Sequence, residues 1–191
     1  MTSTLKLSPR SLKYQRWRSA LVTVGSVLFC LMISPIRFPG LELLGVAPNW
    51  VLIWVVAWSV KRTPWQGAIA GLVLGLLQDA MTAPNPTHTW SLIVVGVLTA
   101  RLQKQRYIEE DIVSIALIVF GMAVVGETVM ALQISLDRLF NDGSLYPAMS
   151  EIWLYHQRVA LSSAILSSLW APALYYPLNR WWEKYTVPDI V

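Results

Sequence analysis

Four side chains have chemistry to offer and stand where an apolar chain has few polar residues: Asn49, Asp79, His88 and Glu127. A carboxylate near an imidazole can relay a proton, hold a cation or anchor a partner's polar group. Asp79 and His88 flank a segment containing Pro84 and Pro86, which reads as a turn that returns the chain to the same level. Asn49 follows Pro48 at the head of an earlier apolar run, and Glu127 lies inside the longest one. A charge at membrane depth costs a few kcal/mol unless it is paired or wetted, so such side chains are expected to face protein or water. The four therefore predict a polar cluster or outward-opening pocket. His88 and Asn49 are the candidate partners of Asp79, and Ser162, Ser163, Ser167 and Ser168 those of Glu127. The plainer reading is that Asp79 caps or snorkels at a helix end and that His88 is an interfacial polar residue. No second ligand is spaced to make His88 a metal site.

The elements that must position these groups are helices. Trp65 to Asp79 reads WQGAIAGLVLGLLQD, with Gly67, Gly71, Gly75 and Asp79 at steps of four. Residues four apart lie nearly above one another on a helix, so the glycines form one side-chain-free stripe that ends on the acid. Such a stripe lets another helix approach closely, either within the bundle or between molecules. The chain has 191 residues, of which 55% are hydrophobic and 14% charged. That composition predicts an all-α, polytopic membrane protein with one domain over residues 1–191. Its six transmembrane helices are expected at about 19–34, 46–60, 65–80, 88–102, 112–136 and 159–178. The basic N-terminus before the first run also suits a signal peptide, but SPIRFPG follows where a small-residue cleavage site belongs, so the run is read as a retained span. Residues 137–156 read as the largest extramembrane loop, and Pro172 and Pro177 as interruptions of the last span.

Twelve of the fifteen basic residues fall on one side of this arrangement and only Arg37, Arg138 and Arg158 on the other, which predicts cytoplasmic termini. Trp17, Trp65, Trp181 and Trp182 would make an inner aromatic belt, and Trp50, Trp90 and Trp153 an outer one. Trp50, Trp54 and Trp58 form a stripe that reads as a lipid-facing ridge or as a docking surface for a partner's transmembrane helix. The basic residues are scattered over short loops, which argues against nucleic acid as a partner. The single cysteine, Cys30, excludes an intrachain disulfide. No HExxH, CxxC, phosphate-binding glycine loop or supported Ser–His–Asp order is present, so neither an enzyme nor a cofactor is expected.

Pro48-Asn49, the Trp-rich span, the basic turn Lys61-Arg62, the series Gly67-x3-Gly71-x3-Gly75-Leu76-x2-Asp79 and Arg101-Leu102-Gln103-Lys104 together resemble the rod shape-determining protein MreD family. The similar part covers about residues 46–106. Pro84-Asn85-Pro86-Thr87 stands where the family commonly has a Leu-Gly turn. The resemblance implies a non-enzymatic scaffold of the bacterial inner membrane, working in elongation and lateral peptidoglycan synthesis. Its implied partners are an MreC-like bitopic protein, an MreB-like filament, and a RodA-like glycosyltransferase with its transpeptidase. It also implies a fold similar to the substrate-binding subunits of energy-coupling-factor transporters. The alternative function is therefore a vitamin-binding transporter subunit. A membrane enzyme acting on lipid has only the lone acids in its favour.

Overall fold

Proline and capping side chains set where the helices begin. The computed structural model describes residues 9–36, 40, 42–82, 87–104, 111–140 and 148–185, and all six elements in it are helices. The first helix, α1 (Pro9–Ile33), opens on a proline, whose missing N–H is harmless in a first turn. The next, α2 (Trp50–Ser59), is capped by Asn49, whose side-chain oxygen accepts from Leu52 N at 3.0 Å. Ahead of it the chain doubles back through a Leu43–Val46 bridge, with Leu44 and Gly45 at φ 54° and 78°. Glycine suits that left-handed backbone, and Leu44 is held there against its preference. The third, α3 (Pro64–Thr82), starts with a capping box: Thr63 Oγ1 accepts from Gln66 N, and Gln66 Oε1 accepts from Thr63 N at 3.2 Å. Then come α4 (His88–Lys104), α5 (Ile112–Phe140) and α6 (Met149–Tyr185).

The shortest helix is the centre. Ten-residue α2 meets all five others, and nine of its residues are buried. Its sequence, WVLIWVVAWS, is apolar on every face, as a helix must be when protein surrounds it. Antiparallel hairpins α3–α4 and α5–α6 pack around it, while α1 packs mainly on α2 and α6. Two indole N–H groups tie α1 down: Trp54 Nε1 donates to Ser26 Oγ at 2.9 Å, and Trp182 Nε1 to Thr23 Oγ1 at 3.2 Å.

Several expectations need correction. The tryptophan stripe is not a lipid-facing ridge, because Trp50 and Trp54 are 7% and 4% exposed. Periodicity locates a face but cannot say what covers it, and here all faces are covered. For the same reason Trp50 and Trp182 leave the expected belts, whereas Trp17, Trp65 and Trp90 remain well exposed. The supposed loop 137–156 is largely helical, since α5 runs to Phe140 and α6 begins at Met149. Mutual packing extends these helices beyond their apolar cores. Residues 141–147 of that loop and the Pro84/Pro86 turn lie outside the described residues. Pro172 and Pro177 do not interrupt α6, which continues through both. Packing on neighbouring helices can offset the lost backbone bonds.

By length and composition, α5 and residues Met149–Lys184 of α6 are long and apolar enough to cross a membrane. Shorter apolar helices occur at Trp17–Ile33, Trp50–Ser59 and His88–Leu102.

Candidate functional site

The glycine stripe sets up the tightest part of the molecule. A Cβ on Gly67 would overlap the carbonyl of Gly96, one on Gly71 the carbonyl of Leu92, and one on Gly75 the Cα of Thr89. Gly96 faces Gly67 in the same way. So α3 and α4 touch backbone to backbone, in an antiparallel register that pairs 67 with 96, 71 with 92 and 75 with 89. Small residues permit this approach, and close van der Waals contact holds it.

Asp79 continues that register by one step. Its Oδ1 accepts from the backbone N of His88 at 2.8 Å and lies 3.0 Å from His88 Nδ1. Its Oδ2 accepts from Thr89 N at 3.2 Å and Thr89 Oγ1 at 2.6 Å. The carboxylate thus caps the first turn of α4 from the last turns of α3. It satisfies N–H groups that have no partner within their own helix, at the end where the helix dipole favours negative charge. The Asp79 side chain is 11% exposed. Farther along, Gln133 Nε2 on α5 donates to the carbonyl of Thr87 at 3.2 Å, tying the same corner to the other hairpin.

The remaining sequence candidates do not join this group. Asn49 caps α2, and its backbone N donates to Ser167 Oγ on α6 at 2.9 Å. Glu127 pairs with His156, with Oε2 at 3.1 Å from Nδ1. Among the described residues no hydrogen bond connects Asn49, the Asp79–His88 pair and Glu127. The expected single cluster is therefore three separate nodes. Helix ends and neighbouring helices already supply each group with nearer partners. Nor do the serines of α6 bind Glu127; Ser162, Ser163 and Ser167 are buried against protein. Sequence reasoning missed His156, which lay in the presumed loop, and Thr89, which looked like filler beside His88. Their signals were a second histidine close to an apolar run and a hydroxyl in the first turn of a helix.

The tryptophans form an aromatic node instead. Trp54 and Trp58 stack at 5.5 Å and 12°, and Trp182 meets Trp58 edge-on at 5.0 Å and 82°. The Arg62 guanidinium lies 4.5 Å from the Trp58 ring centre. Beside Trp54 and Trp58 runs an apolar groove of about 310 Å³, walled by Val27 of α1 and by Ile69, Ala70 and Val73 of α3. At the neighbouring helix end, Lys61 bonds Glu183, and Asn179 Nδ2 donates to the same carboxylate at 3.1 Å. The bond to Lys61, followed by its charge, holds the Glu183 carboxyl below the usual range. Among the described residues, no three of His, Cys, Asp and Glu gather as a metal-binding group.

A central apolar helix, two flanking hairpins and a few bonded polar pairs define a helical membrane protein whose polar residues mainly fasten helices to one another. The family model of the rod shape-determining protein MreD matches residues 15–178, and the chain belongs to that family. It is thus a membrane protein of rod-shape determination. No curated protein matches it.

Proposed function

We propose that this chain is a non-catalytic scaffold of the bacterial inner membrane, with six membrane-crossing helices in one domain and both termini in the cytoplasm. Its role is to hold an MreC-like bitopic partner and so support lateral peptidoglycan synthesis. An MreB-like filament, a RodA-like glycosyltransferase and its transpeptidase belong to the same assembly in this reading. The family match over residues 15–178 is the observation that carries it. In this reading the partner docks in the groove between α1 and α3. That groove is mainly apolar and lined by Trp54 and Trp58. Aromatic anchors and small or branched residues suit helix packing in lipid, where shape rather than hydrophobicity drives association. Asn49, Asp79 and His88 serve this function indirectly, by fixing α2, α3 and α4. The glycines hold α3 on α4 and leave the groove-facing side of α3 free.

Affinity purification of the tagged protein in mild detergent, with mass spectrometry of proteins and small molecules, tests this reading. A single-span partner with cell-wall synthases is the expected result. A retained vitamin-sized ligand with ATPase subunits would overturn it in favour of a transporter subunit, for which the family match offers no support. Val73→Trp, which fills the groove from an exposed position, is expected to lose the partner while leaving the protein folded.

A further inference from the structure

The cavity beside Glu127 has no part in the scaffold described above. It lies between α5 and α6, holds about 230 Å³, and is lined by Glu127, Thr128, Trp153, His156, Gln157 and Leu161, among others. Glu127 Oε2 is taken by His156, whereas its second oxygen has no hydrogen-bond partner among the described residues. The Thr128 hydroxyl donates to the carbonyl of Val124 at 2.8 Å, so it offers the cavity a lone pair rather than a proton. No lysine or arginine lines the space. The wall is mainly apolar, with the Glu127 carboxylate and the Thr128 oxygen as acceptors and an indole among its lining residues. A carboxylate and an indole together recognise ammonium groups, the first by charge-assisted hydrogen bonds and the second by its ring quadrupole.

An apolar track leaves the cavity. Leu161, Ile165 and Leu169 stand four residues apart on α6 and are 55%, 42% and 70% exposed. They share one helix face and run for roughly 12 Å toward the Tyr185 end. A water-soluble amine has no use for such a track, but an acyl chain does.

We propose that this cavity binds a phospholipid through a primary ammonium headgroup. The ammonium sits between the Glu127 carboxylate and the Trp153 indole, and an acyl chain lies along Leu161, Ile165 and Leu169. The proposal rests on α5 and α6 crossing the membrane but not on any protein partner. A bound lipid of this kind would fill the cavity of the α5–α6 hairpin from the side.

The test is native mass spectrometry of the delipidated full-length protein, titrated with phosphatidylethanolamine or phosphatidylglycerol of identical acyl chains. The wild type is expected to retain the ethanolamine lipid about tenfold better, the effect of one charge-assisted hydrogen bond. Glu127→Gln should abolish this preference, and His156→Gln, which leaves the carboxylate in place, should keep it. Trp153→Leu, at a partly exposed position, should lower the preference about threefold through loss of the cation–π contact, and it serves if Glu127→Gln fails to fold. Equal retention of the two lipids by folded wild type overturns the proposal, as does a preference that survives Glu127→Gln or that Trp153→Leu leaves unchanged. Displacement by an equal concentration of water-soluble phosphoethanolamine overturns the acyl track. Partner capture is read separately from the same preparation, so loss of lipid preference with the partner retained counts against this proposal alone.

Discussion

The two antiparallel hairpins solve the same problem in opposite ways. Both bring an acid close to a histidine on the neighbouring helix. In α3–α4 the helices touch through glycine, and Asp79 spends both oxygens on the first turn of α4. In α5–α6 neither Gly121 nor Gly126 meets the backbone of α6, Glu127 makes one bond to His156, and a cavity remains at its side. What each acid touches decides what it can do. Where backbones meet, a carboxylate becomes a cap. Where it meets one imidazole, it keeps coordinating capacity for something from outside.

The largest expected effect breaks the closed hairpin. Gly71→Leu must displace the Leu92 carbonyl, which is backbone and cannot swing away, so a loss of about 3 kcal/mol or more is expected. Failure to accumulate as a monodisperse protein in detergent is the readout. Gly25→Leu is the control, because nothing lies within 4 Å of a Cβ there, and it should behave as wild type. A Gly71→Leu protein of normal stability would show that α3 and α4 separate readily, and the contrast between hairpins would fail.

Asp79→Ala comes next. It strips partners from two backbone N–H groups, a hydroxyl and an imidazole, and about 2 kcal/mol should be lost in thermal unfolding. His156→Ala, in the open hairpin, should cost only about 1 kcal/mol, since Glu127 keeps access to the cavity. The comparison is sharpened by their ratio. Equal losses would mean that Glu127 holds its helix pair together as firmly as Asp79 does.

The smallest effect is expected at the tie between the α2–α3 turn and the end of α6. A carboxyl held below its usual range contributes stability that is complete above that range and is lost as the pH falls through its lowered value. Proteolytic susceptibility of the Lys61 turn should therefore rise modestly between about pH 5 and pH 3. Glu183→Gln should remove that dependence. The pair is exposed, so solvent screening keeps the effect small.

Much of the architecture is legible in the amino-acid order. Apolar runs bounded by Pro64, by Asn49 and by the charged stretch ending at Asp111 mark helices close to the observed α2, α3, α4 and α5. Helix length is less legible. α6 exceeds its apolar core at both ends, because a helix persists wherever a neighbour packs against it, whatever its hydropathy. The candidate acids are also found, since a charge within an apolar run stands out. Their partners are not. Thr89 and His156 lie on other helices, and no spacing rule connects Glu127 to a residue 29 positions away.

The amino-acid order alone determined the helical class, the glycine stripe and the kinship to a cell-shape family, because each depends on local spacing. Tertiary structure decided that Trp50 and Trp54 are core rather than surface, that Asp79 and Glu127 serve separate helix pairs, and that a cavity lies beside Glu127. In a membrane the same apolar side chain suits lipid and protein alike. Hydropathy therefore cannot choose between the two, and the choice falls to close packing and to the pairing of the few polar groups.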